Sequence, residues 1–202
     1  MDAEEFRAAL RLESVPYRRV QAFVAMLGEE SGLGVEGLTV VGGSALEIYT
    51  RGDYVSDDID LVASNRRRVE EVLRSWGFRP EGMYWSHPDL KPLVQIVGRY
   101  DSGSRQRSQI VSTRHGRVRV GSIEDIVWKR VVEARYWRRS EALDEAMLAV
   151  RRYGSRIDWE YVGFHAKKNG VDDLIADLRR QAGLDLGLER PPKETRKRLL
   201  RE

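Results

Sequence analysis

Val40-Val41-Gly42-Gly43-Ser44 is followed, after a spacer of thirteen residues, by Asp58-Ile59-Asp60. Leu38 to Val41 is a short β-prone run that two glycines stop. Ser44 to Thr50 (SALEIYT) then reads as a short helix that starts at the glycines. Glycine lets the backbone come close to a bound group, and the free N–H groups of a first helical turn suit phosphate. Ser44 adds a hydroxyl donor at the same place. Asp58 to Ala63 (DIDLVA) reads as a second buried strand. Side chains alternate along a strand, so Asp58 and Asp60 share one face while Ile59 turns to the core. Two carboxylates on one face repel each other unless a cation lies between them. Oxygen-only ligation suits Mg²⁺ or Mn²⁺. The pattern therefore points to a metal held beside nucleotide phosphates, where it would neutralise charge developing in phosphoryl transfer.

Upstream of this stretch, Asp2 to Glu13 is helix-prone, and Ser14 is placed to cap a second helix with Pro16 in its first turn. Gly28 to Gly37 reads as a glycine-rich loop. Beyond the Asp pair, Asn65 caps a helix over 66–76, and Phe78 to Trp85 and Leu93 to Val97 read as strands. A hairpin over 109–120 turns at His115-Gly116. After Gly121 the pattern becomes helical: Ser122 caps a long helix, and three more follow at 143–150, 158–168 and 171–182. The expected organisation is N-terminal helices packing on the core (1–34), an α/β core (35–121), a helical C-terminal region (122–189) and a basic tail (190–202). The fold class is α/β (α+β), a mixed-sheet core with flanking helices and a C-terminal helical bundle.

Composition narrows the chemistry. The chain has 202 residues, 41% of them hydrophobic and 33% charged, enough for a true core beneath a charged surface. Cysteine is absent, which excludes a disulfide scaffold, a Cys-ligated zinc site, an iron–sulfur cluster and a thiol nucleophile. His87, His115 and His165 are scattered without metal-ligand spacing and read as structural or surface residues. No nucleophile-elbow motif supports Ser-His-Asp catalysis. No apolar run is long enough to cross a membrane, and the first residues are acidic where a signal peptide would be basic. A cytoplasmic protein without membrane partners is the expectation.

The Gly-Gly-Ser and Asp-hydrophobic-Asp motifs together resemble the signature of the polymerase-β-like nucleotidyltransferase superfamily. Gly42, Gly43, Ser44, Asp58 and Asp60 match it residue by residue. Ser122-Ile123-Glu124-Asp125-Ile126, Lys129-Arg130, Trp137, Asp144-Glu145-Ala146 and Ile157-Asp158-Trp159-Glu160-Tyr161 resemble the helical half of small prokaryotic nucleotidyltransferase-like proteins. Those proteins are related to abortive-infection toxins of toxin–antitoxin systems. The resemblance implies transfer of a nucleotidyl group from an NTP to an acceptor. Gly42, Gly43 and Ser44 would hold the triphosphate, Asp58 and Asp60 would ligate Mg²⁺ (or Mn²⁺), and Lys129 would steady the phosphates. Arg51 is a further candidate phosphate clamp.

The resemblance departs at one point. Where the superfamily carries a third carboxylate on a later strand, Leu93 to Val97 offers Gln95, which ligates weakly and cannot act as a base. Asp89 and Asp101 flank that strand. Three alternatives follow: a degenerate nucleotide- and metal-binding protein, a toxin–antitoxin-type interaction protein with a protein partner, and an RNA binder using the tail. Arg66-Arg67-Arg68, opening a helix against its dipole, suggests an anion nearby. Trp85, Trp128, Trp137 and Trp159 read as core or interface anchors.

Overall fold

The computed structural model describes residues 1–98 and 102–184. Asp101 and the basic segment 190–202 lie outside them. The chain divides between Gly121 and Ser122 into two compact units.

The first unit opens with α1 (Ala3–Arg11), closed by a capping box in which Asp2 and Glu5 exchange hydrogen bonds with each other's backbone. In α2 (Pro16–Glu30) the cap differs from expectation. Val15 occupies that position without a side-chain hydrogen bond, and Pro16 supplies a first residue that needs no donor. The glycine-rich segment is also less loop-like than its composition suggests. Buried Ala25 to Gly28 continue α2, and a single turn, α3 (Gly34–Gly37), follows.

Next come β1 (Leu38–Val41), α4 (Gly42–Thr50), β2 (Asp58–Ala63) and α5 (Arg66–Ser75). The stretch expected as one strand is a hairpin, β3 (Arg79–Glu81) and β4 (Tyr84–His87), turning at Gly82 with φ +61°. β5 (Leu90–Val97), α6 (Ser102–Arg107), β6 (Gln109–Thr113) and β7 (Gly116–Val120) complete the unit.

These strands form one mixed sheet in the order β3-β4-β5-β2-β1-β7-β6. β2 lies at the centre, antiparallel to β1 and parallel to β5. Ile59, Leu61, Val94 and Ile96 face the core, all at most 6% exposed. An aromatic cluster ties the helices together there. Phe6 of α1 stacks on Trp76 with ring centroids 4.0 Å apart, Phe23 meets both rings at an edge, and Phe78 meets Phe6 at a tilt and Phe23 at an edge.

The second unit consists of α7 (Ile123–Tyr136), α8 (Glu141–Tyr153), α9 (Trp159–Lys168) and α10 (Asp172–Gln181) among the described residues. Ser122 caps α7 by accepting the Asp125 N–H, and Asp158 caps α9. Between α7 and α8, Arg130 bonds Glu133 at 2.6 Å and Glu145 at 2.7 Å, while Arg139 reaches the same two carboxylates. The first unit is thus a mixed α/β sheet with flanking helices, and the second is helical among the described residues. No described helix is long and apolar enough to cross a membrane.

Candidate active site

β1 delivers the chain to the centre of the sheet, and Gly42 turns it directly into α4. The turn needs φ +61°, a left-handed conformation that favours glycine. Gly42 is also held against a carboxylate. A Cβ at this position would lie 2.2 Å from Asp60 Oδ2. At Gly43 a Cβ would lie 2.5 Å from Ser56 Oγ. The two glycines thus have distinct reasons: Gly42 makes room for Asp60, and Gly43 makes room for Ser56. Val41, the N-cap of α4, offers no side-chain acceptor, and the first turn of the helix carries no acidic residue. Its N–H groups retain the donor character that suits an anion.

Asp58 and Asp60 are half-buried and alternate with fully buried Ile59 and Leu61. They share a face of β2, as the period of two requires. Asp58 Oδ1 accepts the Ser56 hydroxyl at 3.1 Å. Ser44 is completely buried, and its hydroxyl donates to the carbonyl oxygen of Asp58. In this structure Ser44 fastens the first turn of α4 to the first residue of β2.

Gln95 stands beside Asp60 in the register of the parallel β2–β5 pair, with Leu93 beside Asp58. Neighbouring residues in register share a face, so the amide completes a row with the two carboxylates. Its Nε2 lies 3.1 Å from Met83 Sδ. Among the described residues no group of three or more His, Asp or Glu side chains forms a metal cluster. Two carboxylates and an amide carbonyl are nevertheless an all-oxygen donor set, the chemistry that fits a hard divalent cation.

The remaining candidates belong to other stretches of the chain. Arg51 ends α4 in the left-handed region with φ 56°. Eight residues lie between it and Gly42, about 13 Å along the axis. Lys129 belongs to the second unit, where it is exposed with Nζ 5.4 Å from the centre of the Trp128 ring. Asp89 sits in the β4–β5 turn, its N–H donated to His87 Nδ1. Arg66 and Arg67 are held one turn on by Glu70 and Glu71 at 2.7 and 2.8 Å, which balances their unfavourable place at the start of α5. His115 lies beside Glu13 at 3.3 Å, and His165 stacks on Trp128. Trp85 is buried as expected, whereas Trp137 is 72% exposed.

Sequence reasoning missed Glu47 and Ser56. Glu47 lies on α4, 2% exposed, and its Oε2 accepts the Ser56 N–H at 2.9 Å. Burial pushes its carboxyl above the ordinary range, partly offset by the Ser56 N–H and by the field of Arg19. Ser56 therefore contacts two acids, Glu47 through its N–H and Asp58 through its hydroxyl. The only advance signal was the pattern of α4: Glu47 follows apolar Ala45 and Leu46 and precedes apolar Ile48 and Tyr49.

No family model matches the chain, and no curated protein matches it. Among solved structures, the crystal structure of ANT(2")-Ia in complex with adenylyl-2"-tobramycin is similar at 18% identity with a TM-score of 0.43. The likeness covers 78% of this chain and 97% of that one.

Proposed function

We propose that the chain binds a nucleoside triphosphate with a divalent cation and transfers its nucleotidyl group to an acceptor. The observation that carries this reading is the joint placement of Asp58, Asp60 and the Gly42-Gly43 turn. The carboxylates share a face of the central strand, and the backbone of Gly42 lies against Asp60.

Each part has a role in that chemistry. Gly42 and Gly43, without side chains of their own, present backbone where the triphosphate would be cradled. The first turn of α4 turns its N–H groups toward the phosphates. Asp58 and Asp60 would hold Mg²⁺ or Mn²⁺, which neutralises charge on the transferred phosphoryl group when bound. Ser56 orients the Asp58 carboxylate by donating to Oδ1. Ser44 fixes the spacing between helix and strand. Lys129 and Arg51 are carried as further candidates, each with a separate substitution to alanine as its test.

A second reading has a specific observation in its favour. Gln95 stands beside Asp60 in register, on the strand where the resemblance implies a third carboxylate acting as base. An amide takes no proton, so the chain on this reading binds nucleotide and metal without turnover. Pyrophosphate release from ATP, GTP, CTP and UTP with Mg²⁺ or Mn²⁺ separates the two. Transfer predicts release that disappears in the double variant Asp58→Ala, Asp60→Ala. Binding without release supports the degenerate reading, and release restored by Gln95→Asp would locate the cause. Neither binding nor release would overturn both readings.

A further inference from the structure

Ile59 of β2 and Leu93 of β5, which stands beside Asp58, both line a cavity of about 540 Å³ in the first unit, as do Ser56 and Asp57. That volume lies in the usual range for small-molecule sites, roughly 300–1,000 Å³. The wall is largely apolar, with Val20 and Phe23 from α2 and Leu93 from β5 joining Ile59. Asp57 and Lys91, both exposed, bring one charge of each sign.

Glu47 is the anomaly in this wall. Its side chain is almost completely buried, yet a single hydrogen bond, from the Ser56 N–H, is what the described residues supply to it. Two carboxylate oxygens can accept about four. Arg19, also in the wall, directs Nε and Nη2 to the Glu13 carbonyl oxygen at 3.1 and 3.0 Å and forms no ion pair with Glu47 among the described residues. A buried carboxylate without a paired cation is costly to keep charged. Burial accordingly raises its proton affinity.

We infer that this cavity binds a small organic amine with an apolar body, the ammonium group meeting the Glu47 carboxylate. The apolar body would cover Val20, Phe23 and Ile59 and remove their surface from water. The ammonium would supply the missing donors and the opposite charge in one contact. A carboxylate-bearing ligand would face repulsion from Glu47. A purely apolar ligand would strip water from the carboxylate and return nothing. The inference goes beyond the nucleotidyl-transfer reading and does not depend on it.

The test uses the full chain without nucleotide, with 2-phenylethylamine, 2-phenylethanol and phenylacetate as probes of similar bulk. Binding is followed through the methyl NMR signals of Ile59 and Leu93. The expected result is saturable binding of the amine, tighter than that of the alcohol or the acid. Glu47→Gln should weaken the amine by about ten-fold, the loss of one charge-assisted contact. Val55→Trp, at a lining position 58% exposed, should fill the mouth and abolish binding while leaving Glu47 in place. This second variant, with the ranking of the probes, decides the matter even if Glu47→Gln fails to fold. No saturable amine binding, phenylacetate binding as tightly as the amine, or amine binding unchanged in Val55→Trp would overturn the inference.

Discussion

Gly42 combines two demands that no other residue type meets together. Its φ of +61° puts an L side chain in the left-handed region, and its missing Cβ is the space that Asp60 Oδ2 fills. Gly42→Ala should cost about 1–2 kcal/mol for the backbone alone, with more for the displaced carboxylate. A fall in the urea midpoint with an unchanged slope would report it, and an unchanged midpoint would refute the packing described. Ser44 makes a different demand. It is completely buried and gives its hydroxyl proton to the Asp58 carbonyl oxygen, so Ser44→Ala should destabilise the chain by about 1–3 kcal/mol. The same denaturation experiment measures it. Ser44→Thr would keep the donor but add a methyl group where nothing is exposed, and should not restore full stability. Neither demand can be read from Gly-Gly-Ser as a string. The spacing placed Asp58 and Asp60 on one face because strand periodicity is local. The partner of the Ser44 hydroxyl is fourteen residues away and becomes visible only once α4 and β2 are packed.

Among the elements, the central strands were the most legible. Leu38–Val41 and Asp58–Ala63 are apolar runs bounded by glycines or polar turns, and they form β1 and β2 over those residues. Ser122 was legible as a cap because it precedes Glu124 and Asp125 at the start of an apolar-periodic segment. Ser122→Ala should cost about 1 kcal/mol through the lost bond from the Asp125 N–H, read as a lower melting temperature. An unaltered melting temperature would mean that the cap contributes nothing to α7. Three elements were not legible for physical reasons. Ser14 has the composition of a cap, but Pro16 begins α2 one residue after Val15 and leaves Ser14 outside it. The glycines of 28–37 suggested a loop, yet Gly28 is buried within α2 and packs against the backbone of Gly34, a contact made by residues that are not neighbours in sequence. The β3–β4 hairpin depends on Gly82, whose positive φ is not announced by its neighbours. The row formed by Gln95 and Asp60 depends on the register of two parallel strands far apart in sequence, which local pattern does not fix.

Across the molecule, the first unit carries an electrostatic imbalance that the second resolves differently. Glu145 in the second unit is buried, and its carboxyl is raised by that burial, but Arg130 and Arg139 stand against it. Glu47 in the first unit has a backbone N–H and the more distant field of Arg19. Its folded pKa is raised above the unfolded value, so above the unfolded value the native chain holds a proton that the unfolded chain has released. Stability from this group is complete below the unfolded pKa and is lost as pH rises through the folded one. Urea titrations of the chain and of Glu47→Gln across that window should show the stability advantage of the parent shrinking with rising pH. A difference that stays constant with pH would mean that Glu47 titrates alike in both states.

The proposed function requires that Asp58 and Asp60 hold a divalent cation at the Gly42-Gly43 turn and so bind a triphosphate. Calorimetric titration with a non-hydrolysable ATP or GTP analogue, with and without Mg²⁺ or Mn²⁺, tests it most directly beside the double variant Asp58→Asn, Asp60→Asn. Binding that requires the cation and is lost in a variant of unchanged fold is the predicted result. Nucleotide binding that is indifferent to the cation, equal in the variant, or absent from the parent would contradict it.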